Sequence, residues 1–270
     1  RDSLDTAITL LQVSKFVHHR AEHVVNETVV ISEDAIATEL YPPQIANSCH
    51  DFTGFFNRYG QHILNLTLRE LSDEKITSFL ERCPATRRLR LGRFSSHFKA
   101  FETILDHVPK IEQLTAYFAK IAVPQDASLG RAYRQLTHLD MIMDGDTVPL
   151  MGWLAFLAQL PRLTHLAVDR ESANEPVVLE VFRGCRKLQV MVLAGGDFQP
   201  NQGACTEATE GQEGVEDDRI VCLEVDTAKS WLAGARRERD MWRHAEEIIL
   251  ERRKRRQEGS ELATCGITYS

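Results

Sequence analysis

Six short stretches decide the fold: Ile63–Leu68 (ILNLTL), Thr86–Leu91 (TRRLRL), Ile111–Ala116 (IEQLTA), Leu136–Met141 (LTHLDM), Leu163–Val168 (LTHLAV) and Leu188–Leu193 (LQVMVL). Each reads apolar-x-x-apolar-x-apolar, with Thr86 in place of the first apolar residue of the second copy. The central residues Leu66, Leu89, Leu114, Leu139, Leu166 and Met191 follow one another at steps of 23, 25, 25, 27 and 25 residues. A seventh copy, Ile220-x-x-Leu223-x-Val225, comes after a longer step. Alternation at period two is the mark of a strand with one buried face.

Between these strands lie amphipathic stretches at helical spacing. Ser72–Cys83 carries Ile76, Phe79, Leu80 and Cys83 on one face, opens on Ser72 as N-cap, and has Asp73 and Glu74 where the helix dipole favours anions. Stretches 97–108 (Phe98, Phe101, Leu105, Val108), 148–160 (Leu150, Trp153, Leu154, Leu157) and 176–185 (Val178, Leu179, Phe182) repeat the theme. Pro84, Pro109 and Pro161 end three of them. Strand–helix alternation implies a parallel sheet with helices packed on it. The period matches the roughly 20–29 residues of a leucine-rich repeat. The expected fold is therefore an α/β, leucine-rich-repeat-like solenoid, with a parallel sheet on the concave face and helices on the convex one. A doubly wound α/β domain is the rival, but its strands are continuous apolar runs. Here Arg88 and Arg90 flank Leu89, and His138 and Asp140 flank Leu139, so the concave face should be open to solvent. The Asn that usually follows a leucine-rich-repeat strand is absent, Asp144, Glu171 and Gly196 standing there, which predicts irregular turns.

The chain has 270 residues, 43 % of them hydrophobic, and a formal net charge of −7, which argues against a general nucleic-acid binder. No apolar run approaches the ~20 residues needed to span a bilayer. Six scattered cysteines, with no C-x-x-C pair, fit reduced thiols in a cytoplasmic or nuclear protein. The Gly-rich acidic stretch 203–219 reads as a flexible loop. A helix is expected near 230–235. A longer one over 240–255, burying Trp242, Ala245, Ile248 and Ile249, would cap the open end of the solenoid before a fraying basic tail. The domain division is 1–31 as a helical lead-in, 32–235 as solenoid and 236–270 as cap and tail.

Two stretches carry a family resemblance. Thr9–Ile31 (TLLQVSKFVHHRAEHVVNETVVI) resembles the second half of the F-box-like sequences found in mushroom-forming (basidiomycete) fungi, ahead of degenerate leucine-rich repeats. Asp217–Ile249 resembles the ending of such proteins. The usual opening Leu-Pro-x-Glu-Ile helix has no counterpart in the chain as given. The resemblance implies the substrate-recognition part of a ubiquitin-ligase receptor, with a Skp-type adaptor as partner only if the parent protein carries a complete F-box.

Of catalytic signatures, one is present: His19-Arg20-Ala21-Glu22-His23 matches the H-x-x-E-H zinc pattern, with no third ligand assignable. A zinc hydrolase is the remote alternative, and no cofactor, metal or catalytic residue is assigned. His138 and His165 fall at one position of consecutive rungs, about 4.8 Å apart, with Asp140 and Asp169 nearby. The reading is a non-enzymatic protein-interaction module. Its concave face would present Arg88, Arg90, Gln113, Thr115, Tyr117, His138, Asp140, His165, Asp169, Val190 and Val192 to a protein or peptide with one acidic and one apolar end. A repeat scaffold without a ligase link is the second reading.

Overall fold

A computed structural model describes residues 27–32, 35–38, 52–92, 100–118, 121, 123–124, 126, 129–143, 150–195, 205–207 and 217–265. Ten strands form one sheet: β1 (Thr28–Ser32), β2 (Ala35–Thr38), β3 (Asn65–Leu68), β4 (Arg88–Leu91), β5 (Gln113–Tyr117), β6 (His138–Ile142), β7 (His165–Asp169), β8 (Val190–Ala194), β9 (Cys205–Glu207) and β10 (Ile220–Val225). Their order is β2-β1-β3-β4-β5-β6-β7-β8-β10-β9. Eight strands are parallel, and an antiparallel strand closes each edge. Each parallel strand pairs with the next one in the chain, so the order never reverses as it does in a doubly wound domain.

The register confirms six copies of the motif. Leu66, Leu89, Leu114, Leu139, Leu166 and Met191 are successive partners across the sheet. They turn toward helices α1 (Phe52–Tyr59), α2 (Asp73–Arg82), α3 (Ala100–His107), α4 (Leu129–Ala132), α5 (Leu154–Leu157, after a 3₁₀ turn at Leu150–Trp153) and α6 (Glu175–Gly184). One continuous apolar core joins this sheet face to Ile76, Leu80, Ile104, Val178 and Val181 of the helices. At its centre Phe101 meets Phe118, Tyr133, Trp153 and Phe156 at centroid distances of 4.6–5.7 Å. The Tyr133 hydroxyl donates to the Phe101 carbonyl at 2.7 Å, so the one polar atom of that ring is satisfied.

A repeating polar device lies before each of β4–β8. The two amides entering β4 (Arg87, Arg88) both donate to the Leu64 carbonyl, and those entering β5, β6, β7 and β8 do the same to Arg87, Glu112, Thr137 and Thr164, at 2.8–3.1 Å. Thr86, Thr137 and Thr164 add hydroxyl bonds to the carbonyls of Ile63, Glu112 and Thr137. Rung-to-rung stitching thus runs ahead of the strands, where the sequence reading looked for an Asn behind them.

Five expectations need correction. The seventh copy is out of phase: Ile220 and Cys222 partner Met191 and Leu193 and pack on the main core, whereas Leu223 and Val225 face the other way. Both faces of β10 are covered, so an apolar run there cannot fix its own phase. Leu179 is 41 % exposed, because α6, capped by Asn174 and with Pro176 in its first turn, turns Val177, Val178 and Val181 inward. Part of the 203–219 stretch is ordered as β9, and the final helix continues to Cys265, beyond the expected fraying point. Lastly, the helical hairpin of α7 (Thr227–Ala235) and α8 (Met241–Cys265) does not cap the end of the array but lies on the second face of the sheet. The lead-in helix, His19 and His23 lie outside the described residues. No helix among the described residues is long and apolar enough to cross a membrane.

Candidate functional site

Two rows of side chains project from the second face. One runs Asn65, Arg88, Gln113, His138, His165, Val190; the other runs Thr67, Arg90, Thr115, Asp140, Ala167, Val192, Val221. The polar end and the apolar end read from the sequence are both present, but the apolar end is occupied. Ala167, Val190, Val192, Val221 and Leu223 pack against Met241, Trp242, Ala245 and Ile249 of α8, forming a second core. The face expected to be open is therefore closed over most of its length. Gln113, Thr115, Asp140, His165, Val190 and Val192 are buried, as is Tyr117, whose ring joins the main core. Asp169 is half-buried and accepts the Met143 amide. The acidic-and-apolar partner inferred from the face is, over this part, the protein's own Asp226–Ile249 segment. Sequence reading found that segment amphipathic but had no signal for which surface it would choose.

The hairpin is built by its caps. Asp226 accepts the amides of Ala228 and Lys229 to start α7, and Asp240 accepts that of Arg243 to start α8. At the end of α7, Arg237 and Glu238 donate to the carbonyls of Gly234 and Ala233, the paired bonds of a Schellman ending. The residue in the left-handed conformation is Arg237, at φ 60°, where glycine is usual. Gly234 lets this turn approach β4, since a Cβ there would strike the Asp240 carboxylate and come within 3.2 Å of Arg88 Nη1.

His138 and His165 stack at 4.1 Å with ring planes 14° apart, and Trp242 sets an edge against both, at 5.3 and 5.7 Å. Each Nδ1 shares a hydrogen bond with the preceding threonine, Thr137 or Thr164, and His165 Nε2 shares one with Glu246 at 3.1 Å. Burial, then the neighbouring His165 and Arg88, pushes the His138 imidazole down to about 3. Burial likewise lowers His165, against the pull of Glu246 and Asp240. Stacked rings send their nitrogen lone pairs along parallel planes, so this pair does not converge on a shared metal ion. No group of three or more potential metal ligands occurs among the described residues. The pair instead serves as the seat for Trp242.

What remains accessible is a cleft of about 470 Å³ between the entry ends of β3–β6 and the α7–α8 turn. Arg87, Arg88, Arg237 and Arg243 line it, with Trp242 and His138 as its aromatic wall. Five carboxylates line it as well. Three are engaged, Glu112 with Arg87 at 3.5 Å, Asp240 as the α8 cap and Glu246 with His165, and the other two are Glu27 and Glu238. The guanidinium of Arg88, half-buried, makes no hydrogen bond or ion pair among the described residues. Sequence reading located Arg88 and missed Arg237, Arg243 and Trp242, because these reach the site only through the hairpin. The class these features define is an α/β repeat protein whose single sheet carries helices on one face and is strapped by its own C-terminal hairpin on the other. The chain matches no protein-family model and no curated protein.

Replacing Arg237 by glycine relieves the left-handed strain and should raise unfolding free energy by about 1 kcal/mol. Chemical denaturation of the two forms measures it, and an unchanged or lower value would contradict the strained-cap assignment.

Proposed function

We propose that the protein is a non-enzymatic interaction module that holds an acidic peptide segment in the cleft between sheet and hairpin. The observation carrying this reading is Arg88, a half-buried cation that lines the cleft and makes no hydrogen bond or ion pair among the described residues. A partly desolvated guanidinium gains most from a carboxylate, which it can grip through two parallel hydrogen bonds. Arg237 and Arg243 would meet further acidic groups. The fold supporting this is leucine-rich-repeat-like, a reading favoured by the 23- to 27-residue steps and the unbroken strand order. The resemblance to fungal F-box-like proteins would make the partner a degradation substrate, in the cytoplasm or nucleus, with a Skp-type adaptor bound through a complete F-box of the parent protein. A scaffold with no ligase link would use the same cleft.

A fluorescence titration of a panel of Glu- and Asp-rich peptides tests the reading. At least one acidic peptide should bind, and Arg88→Glu with Arg237→Glu should weaken it by tenfold or more. Equal binding by the double variant, or preference for basic peptides, would remove the cleft from consideration.

A further inference from the structure

A second cationic site lies further along the same sheet face. Thr67 and Arg90 are direct partners on β3 and β4, and Arg69 follows β3 by one residue. Gly92, at the end of β4, leaves room for the Arg69 side chain: a Cβ there would come within 3.3 Å of Arg69 Cα and Cγ. The two guanidinium groups are close enough for Arg69 to disfavour the charged form of Arg90. Thr67 is 1 % exposed, and its hydroxyl oxygen is buried with no hydrogen-bond partner. The Nε atoms of Arg69 and Arg90 are buried without partners as well. Neither arginine side chain makes an ion pair among the described residues.

Three adjacent unsatisfied polar groups, two of them cationic, are costly in a half-buried setting unless an anion completes them. The nearest carboxylates do not supply it. Asp226 spends its oxygens on the α7 amides and on Lys229 Nζ at 3.6 Å. Asp140 is buried against Thr115, and no oxygen of it comes within ion-pairing distance of Arg90. Both arginines are half-buried and keep part of their surface accessible.

We propose that Thr67, Arg69 and Arg90 form a binding site for a phosphate-type oxyanion. A tetrahedral anion has enough oxygens to accept from two guanidinium forks and a hydroxyl at once, which a single carboxylate has not. The site is separate from the acidic-peptide cleft and stands whether or not that cleft binds a protein.

Thermal unfolding of the full chain with increasing inorganic phosphate, against sodium chloride at equal ionic strength, tests the proposal. A parallel series with phosphoserine distinguishes a free ion from a phosphate carried on a larger molecule. Phosphate should raise the midpoint by several degrees at millimolar concentration, and the rise should vanish in Arg69→Gln and in Arg90→Gln. Arg69→Lys, which keeps the charge but loses the fork, should weaken binding at least tenfold, and Arg183→Gln, at an exposed arginine of α6, should leave the rise intact. A shift with phosphoserine as well would extend the site to phosphomonoesters; a shift with inorganic phosphate alone would confine it to the free ion. No rise beyond chloride with either compound, or an equal rise in both glutamine variants, would overturn the site.

Discussion

Trp242→Ala should cost about 3–5 kcal/mol of unfolding free energy, the range for deleting a fully packed large aromatic side chain. Trp242 is the largest residue of the second core, and its indole sets an edge against both stacked histidines. The loss should fall unevenly. The main core, with its Phe101–Trp153 cluster, does not include Trp242, so amides of β3–β8 should keep their protection while those of 227–258 exchange faster. Hydrogen exchange resolved by peptide reads both regions in one experiment. Uniform loss of protection across sheet and hairpin would show that the two cores form one cooperative unit instead.

The second large effect is a dependence on pH. Burial, only partly offset by Arg90 and the Thr115 hydrogen bond, raises the Asp140 carboxyl from its ordinary 3.8 to about 7. The folded protein therefore holds a proton there that the unfolded chain has released between about pH 4 and pH 7. Stability from this group is fully present below the ordinary carboxylate range and is lost as pH rises toward 7. At about 1.4 kcal/mol per tenfold change in acidity, the difference has a ceiling on the order of 4 kcal/mol. Asp140→Asn keeps the size and a hydrogen-bonding group for Thr115 but cannot ionise. It should exceed the parent by on the order of 2 kcal/mol at pH 8 and match it near pH 4. His138 and His165, lowered by burial, slope the other way below about 6.5 in both forms and cancel in the difference. A parent and variant with parallel pH curves would refute the account.

The array itself was legible because one face of each strand is apolar and the other polar. Leu66 through Met191 could be aligned by eye, and helix ends followed from Ser72, Pro84, Pro109 and Pro161. Legibility failed where that contrast fails. β10 is apolar on both faces, so its phase could not be chosen, and α6 offers Val177, Val178, Leu179, Val181 and Phe182, more apolar positions than one face needs. The site failed for another reason. Arg88 and His138 were placed correctly on the sheet, but alternation reports only that a face is not part of the first core. It is silent on whether water or a distant segment covers that face, and the α7–α8 hairpin covers it from about a hundred residues away in the chain.

The position of that hairpin matters during synthesis. Ala167, Val190, Val192, Val221 and Leu223 are made before the helices that cover them. At roughly 5–20 residues per second, the stretch from 226 to 258 takes on the order of 2–7 s to assemble. For that interval the nascent protein carries a bare strip of valine and leucine on an otherwise formed sheet. The chain between β8 and β10 is rich in Asp and Glu, and charge of that kind disfavours association between neighbouring nascent chains on one message.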